Sequence, residues 1–413
     1  MASVLITGAR AAAATPVPDP GPGWLRVEGA RIAGLARGAP PSPLPGEQIV
    51  DLPGGWLLPG FVDLHCHGGG GGSFSGEDTA GMLAAASFHR RHGTTTLWAS
   101  LVSAPPAMME RSARVLAELV EQGELAGIHL EGPFLASSRR GAQNPRALLA
   151  PDRGVMARLL DAGRGHVRMV TLAPELPGAL ELVRQLSDAG ALAAIGHTDA
   201  SYEQVMAAID AGARVATHLF NGMRPVHHRE PGPVIAALQR PEVSCEVIGD
   251  PRHLHPAAIR LALNAAGTSR VALVTDAIAA AGMADGRYEL GGLRVEVRAG
   301  AARLAGAGTP SLAGSTITMD AAVRWVVNEL HLELADAVRV TSGTAAELAG
   351  VPSRCGRLAA GRDADLVLCD ASFNVVAVMA RGQWVGEPPV FRRHAGLAEP
   401  ATNIHNGPPA TSA

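Results

Sequence analysis

Two histidines separated by one residue, His65 and His67, close the apolar run Phe61-Val-Asp-Leu64 and precede five glycines, Gly68 to Gly72. In an extended chain, residues two apart point to one face, so the pair can grip a single metal ion. The glycines are expected to let the backbone turn away and leave that site open. Similar residues close later strand-like runs. Glu131 does so in Leu130-Glu-Gly-Pro-Phe134, His197 in Ile195-Gly-His-Thr198, His218 in Thr217-His-Leu-Phe220 and Asp276 in Val274-Thr-Asp-Ala277; Asp250-Pro-Arg-His253 follows another run. Imidazole and carboxylate ligands of this kind suit Zn²⁺ or Fe²⁺ at neutral pH. Singly, each has a structural alternative, an interior histidine or a capping carboxylate. Their repetition at successive strand ends favours metal chemistry. Cys66 should face away and pack. His227 and His228 lack the strand-end setting and read as loop residues.

Such residues meet only if a fold gathers strand ends. Candidate strands are 61–64, 94–99, 126–130, 167–172, 192–195, 215–217, 244–248 and 271–275, with helical patterns between most of them at 79–92, 106–122, 178–189, 202–211 and 256–265. That alternation marks a parallel sheet with crossover helices. Eight such strands favour an α/β fold, a (β/α)8 TIM-type barrel, whose C-terminal strand ends share one mouth. A β-hairpin is expected over 285–303 and a helix over 319–330. Short strands at 4–7, 24–28, 31–35 and 48–51 are too few to form a core alone. Their partners are the strands at 365–369, 374–379 and 383–385, giving a small β-sandwich domain built from both chain termini. The expected division is 1–58 and 351–387 for the sandwich, 59–350 for the barrel, and a Pro-rich tail, 388–413, of low order.

Composition excludes several chemistries. All 35 Lys and Arg residues are arginine, which removes Schiff-base, P-loop and carbamylated lysines from consideration. A net charge of −3 gives no basis for a nucleic-acid surface. Four dispersed cysteines without a Cys-x-x-Cys pair fit a reducing cytoplasm better than a disulfide framework. No apolar run reaches the ~18 residues of a membrane span.

The motifs His65-Cys-His67, Leu130-Glu-Gly-Pro-Phe134, Gly141-Ala-Gln143, Gly196-His-Thr198, Thr217 through Arg229-Glu-Pro-Gly232, Thr275-Asp276 and Leu312-Ala-Gly-Ser315 together resemble the N-acetylglucosamine-6-phosphate deacetylases of the amidohydrolase superfamily. The resemblance covers most of the chain. It implies a cytoplasmic enzyme of amino-sugar catabolism and cell-wall sugar recycling that removes an N-acetyl group from an amino-sugar phosphate. Glu131, His197 and His218 are expected to hold one divalent metal, with His65 and His67 able to hold a second and Glu131 bridging. Asp276 would orient water and carry its proton. Gln143 would reach the acetyl carbonyl with Ala142 binding substrate beside it, Asn221, Gly222 and His253 would lie near the phosphate, and Leu312 and Ala313 along the sugar. In that family the phosphate-clamping arginine, Arg229 here, comes from the neighbouring subunit, which implies a homodimer. A deaminase, dihydroorotase or aminoacylase on the same barrel, and a barrel that has lost its chemistry, are the competing readings.

Overall fold

The computed structural model describes residues 3–12, 21–306 and 311–389. Eight parallel strands, labelled β1 to β8, form its central sheet: Phe61–Cys66, Thr94–Val102, Gly127–Glu131, Val167–Leu172, Leu192–Ile195, Val215–Ala216, Ser244–Ile248 and Val271–Val274. They neighbour one another in chain order. The ends close where Cys66 bridges Ala277 and the Asp276 N–H donates to the His65 carbonyl at 2.8 Å. The expected barrel is what the chain forms.

Crossover helices cover the outside, starting where sequence supplies a cap. Asp152 accepts from Val155 N before Arg153–Ala162, and Ser201 forms a capping box with Gln204 before Tyr202–Ala211. Alanine and leucine faces of these helices bury against the barrel. At the base, Val62, Leu64, Trp98, Met169, Ala194, Val215 and Ala272 form an apolar layer sealed by Ala345, Ala346 and Cys355. The base is filled by this layer, and in barrels of this kind active sites gather at the C-terminal strand ends. The helices Arg153–Ala162 and Gly232–Gln239 had no counterpart among the expected elements.

Beside the barrel, a four-stranded sheet runs in the spatial order 31–37, 23–28, 3–7, 48–51. A five-stranded sheet runs 10–11, 56–59, 366–369, 375–380, 383–384. Ile6, Leu25, Val27, Leu57, Leu366 and Met379 pack between them as a sandwich core. Trp56–Pro59 and the short Arg10–Ala11 beside it are strands missing from the sequence reading. Trp56–Pro59 pairs antiparallel with Leu366–Cys369 and joins the N-terminal to the C-terminal segment. Its apolar run merges with that of β1, which hides the break at Gly60. From residue 390 the expected low-order tail lies outside the described residues.

The insertion after β8 is a three-stranded meander, Gly286–Leu290, Leu293–Arg298 and Ala301–Leu304, rather than a single hairpin. The third strand arises because Gly300, at φ 70°, turns the chain once more. Among the described residues no helix is long and apolar enough to cross a membrane.

Candidate metal centre and active site

The site begins with a departure from regular pairing. Between Leu97–Asp63 and Ala99–Cys66 the β1–β2 register slips. One extra residue on β1 re-aims the side chains that follow, a recurrent use of bulges beside active sites. His65 and His67 then converge, with Nε2 atoms 3.1 Å apart. Cys66 faces outward as expected, buried with Sγ 3.2 Å from His89 Nε2. The glycine run differs from expectation. Gly68–Gly69 and Gly72–Ser73 pair as a buried hairpin against the helix Thr79–Arg91, and a Cβ on Gly72 would strike the Gly81 carbonyl. These glycines serve close packing rather than an open loop.

On the far side of the mouth, Glu131 Oε1 lies 3.0 Å from His197 Nε2 and 2.9 Å from His218 Nε2. Its Oε2 lies 3.3 Å from His67 Nε2. Asp276 Oδ1 stands 3.2 Å from His67 Nε2 and 3.5 Å from His65 Nε2. Two donor sets therefore share one centre: Glu131 with His197 and His218, and His65 and His67 with Asp276. Three of these residues have left-handed backbone, His197 at φ 46°, His218 at 29° and Asp276 at 49°. Each such residue costs roughly 1–2 kcal/mol, and strain of this kind collects at functional sites.

The outer nitrogens fix which way the rings face. His65 Nδ1 donates to Glu246 Oε2 at 3.0 Å, His67 Nδ1 to the Ser100 carbonyl at 3.1 Å, and His197 Nδ1 to the Arg139 carbonyl at 2.9 Å. A neutral imidazole bound that way turns a lone pair, not a proton, inward from Nε2. Two lone pairs 3.1 Å apart repel unless a cation or proton lies between them. The electrostatics agree. Burial opposes charge on His65, yet Asp276, Glu246 and Glu131 outweigh it and push its pKa up to about 10. His67 is raised to about 9 by hydrogen bonds and charge from Asp276 and Glu131, again against burial. Glu131, despite burial, is held well below the ordinary carboxylate range, chiefly by His197. Every ion pair of Glu131 and Asp276 among the described residues is to an imidazole. This buried, acid-rich ring calls for positive charge, and its nitrogen and oxygen donors suit a divalent metal.

Beneath the ring runs a chain of polar side chains. Ser100, His129, Thr171 and Thr217 link one to the next at 2.9, 2.8 and 2.8 Å. Gly196 separates Thr171 from Thr217 so closely that a Cβ there would lie 2.7 Å from one and 2.8 Å from the other.

Above the ring lies a cavity of about 380 Å³. Ala142, Gln143, Asn221, Gly222, His253 and Leu312 line it, together with His67, Glu131, His197, His218 and Asp276. Gln143 is buried, accepting from Ser103 N at 2.8 Å and donating to Glu131 Oε2. Asn221 hydrogen-bonds the His218 carbonyl at 3.2 Å, holding the turn that carries Gly222. Ala313 is fully buried with Val295, Val297 and Ala302 and lies outside the cavity lining, beside Leu312, which is part of it. Arg229 is exposed, away from the cavity, with Nη1 2.8 Å from His228 Nε2.

Sequence reasoning passed over Glu246 and Arg139, and it noted Asp250 after its strand without giving it a role. Asp250 Oδ2 holds His253 Nδ1 at 2.8 Å, and Arg139 lines the cavity while pairing with Asp199 at 2.8 Å. A glutamate inside the apolar run Ser244-Cys-Glu-Val-Ile248 was the signal available for Glu246, since buried carboxylates are rare.

Residues 56–385 match the model of the amidohydrolase family. The chain belongs to this family. Among solved structures, an N-acetyl-D-glucosamine-6-phosphate deacetylase mutant from Mycobacterium smegmatis, in complex with N-acetyl-D-glucosamine-6-phosphate, shares 45% identity with this amidohydrolase. The two superpose with a TM-score of 0.88 over 93% of this chain and 100% of that one. The N-acetylglucosamine-6-phosphate deacetylase of Bacillus subtilis (strain 168) is 35% identical over 367 residues, 87% of this chain and 92% of its own. An N-acetylgalactosamine-6-phosphate deacetylase of Escherichia coli O157:H7 is 34% identical over 367 residues, 87% of this chain and 95% of its own.

Proposed function

We propose that this amidohydrolase hydrolyses the N-acetyl group of N-acetylglucosamine 6-phosphate, giving glucosamine 6-phosphate and acetate. The observation that carries this reading is the meeting of Glu131, His197 and His218 with His65, His67 and Asp276 at one barrel mouth. Glu131, His197 and His218 would hold one ion, Zn²⁺ or Fe²⁺, and the His65–His67 side would give capacity for a second. A divalent metal there supplies Lewis acidity, polarising an acyl carbonyl and easing deprotonation of water.

The remaining work falls to the chain's own side chains. Against burial, the charge of His65 and a hydrogen bond from His67 hold the Asp276 carboxyl below its ordinary pKa, and a divalent cation at the same ring would favour the carboxylate in the same sense. Asp276 takes a proton from water as the water oxygen bonds to the acetyl carbon. It returns that proton to the nitrogen as the C–N bond breaks, serving as base and then acid. Ala142 and Gln143 flank the acetyl group, and Leu312 lines the sugar. His253, held by Asp250, and the Asn221–Gly222 turn receive the phosphate. Arg229 reaches the neighbouring subunit's phosphate in a homodimer. Its exposure fits a role outside its own cavity, and a guanidinium fork suits phosphate.

The resemblance to the Escherichia coli relative favours a second reading, the 4-epimeric N-acetylgalactosamine 6-phosphate. Acetate release measured on both phosphates and on unphosphorylated N-acetylglucosamine tests the proposal. N-acetylglucosamine 6-phosphate is expected to have the highest kcat/KM. Equal turnover of the unphosphorylated sugar would overturn the phosphate assignment, and preference for the 4-epimer would select the second reading.

A further inference from the structure

Glu246 occupies β7, fully buried, and no part of the hydrolysis above uses it. Its Oε2 accepts from His65 Nδ1 at 3.0 Å and lies 3.4 Å from the His218 backbone N–H. Its backbone carbonyl accepts from Leu219 N at 2.8 Å. One residue is thus tied to a histidine of each donor set, to His65 by its side chain and to the His218 turn by its backbone and side chain.

Stability alone gives no reason for such a residue. Among the described residues Glu246 Oε1 is buried with no hydrogen-bond partner, and leaving a buried oxygen unsatisfied is destabilising. Apolar groups of similar volume often replace buried ionic ones at no loss of stability. What the carboxylate does achieve is directional. By accepting the Nδ1 proton it selects one tautomer of His65 and leaves the Nε2 lone pair facing His67, Glu131 and Asp276. With the opposite tautomer, Nε2 would present a proton to the centre and could not ligate.

We propose that Glu246 is a positioning residue that makes the His65–His67 side of the mouth competent to hold a second divalent ion, acting through the His65 tautomer. This rests on the proposed metal reading but not on the substrate. Metal titration therefore tests it without reference to turnover, and a failed deacetylation assay would leave it intact.

The test uses the full chain, stripped with chelator and titrated with Zn²⁺ against a chromophoric competitor, with metal content counted by mass spectrometry. Wild type is expected to take two ions. Glu246→Leu, which keeps the buried volume, is expected to hold the ion at Glu131, His197 and His218 with unchanged affinity. Its second ion should bind about 10- to 100-fold more weakly, the usual cost of losing such a partner, while Tm is unchanged or higher. Glu246→Gln, whose amide oxygen can still accept from Nδ1, should recover part of the loss. In a His65→Ala background, Glu246→Leu should add nothing, because the pair acts as a unit. Three results would overturn the proposal: only one ion in wild type, unchanged second-ion affinity in Glu246→Leu, or parallel loss of both ions with a fall in Tm.

Discussion

His197 Nε2 and His218 Nε2 face each other across 3.1 Å, although both residues sit in left-handed backbone that disfavours any side chain. The chain leaves β5 and β6 at those positions, and the unusual φ turns each ring back over the mouth. Gly222 is part of the restraint. At φ 60° it passes so near His197 that a Cβ would stand 2.9 Å from Nδ1 and 3.2 Å from the Arg139 carbonyl. Gly222→Ala should therefore break the His197–Arg139 hydrogen bond and weaken metal binding by about 10- to 100-fold. Competitive Zn²⁺ titration checks it.

Gly196 tests packing rather than coordination. Its added Cβ would press on two β-branched threonines with no freedom to retreat. Overpacking of this kind costs about 1–3 kcal/mol, so Gly196→Ala should lower the midpoint of urea unfolding. An unchanged midpoint would mean that the Thr171–Thr217 hydrogen bond yields more easily than its position implies.

Asp365, just before the sandwich strand Leu366–Cys369, gives a pH signature away from the site. Burial, with the nearby charge of Asp363, raises its carboxyl from 3.8 to about 6, although the Arg381 N–H bonded to it pulls the other way. A carboxyl raised on folding leaves stability intact below the unfolded pKa and erodes it as pH rises through the folded one. Asp365→Asn should be more stable than wild type at pH 8 by up to about 3 kcal/mol. The advantage should vanish near pH 4. Denaturant midpoints at the two pH values measure the difference, and a gap independent of pH would contradict the burial argument.

Arg229 makes a prediction about assembly. Arg229→Ala should raise KM for the sugar phosphate far more than it lowers kcat. Mixing Arg229→Ala with Asp276→Asn subunits should regenerate about a quarter of the wild-type sites if the arginine acts across a twofold dimer. No recovery on mixing would place it in its own subunit's site.

The barrel was legible because β strands and helices alternate with their own periodicities. Glu131, His197, His218 and Asp276 stood out because polar residues at apolar strand ends need a reason. The bulge that aims His65 was not legible, since register depends on β2 and not on β1 alone. Nor was the work of Gly196 and Gly222, which depends on neighbours far along the chain. Trp56–Pro59 was lost for a different reason: two apolar runs in succession carry no mark of where one sheet ends and the next begins. Glu246 and Asp250 bond to histidines distant or close in sequence, and only the fold shows which contact matters.

Asp276→Asn bears most directly on the central claim, with acetate release and metal content measured on the same preparation. The variant should retain its divalent metal and release no acetate from N-acetylglucosamine 6-phosphate. Chelated wild type should likewise be inactive until metal is restored. Near-normal turnover by Asp276→Asn, or by metal-free wild type, would contradict that claim.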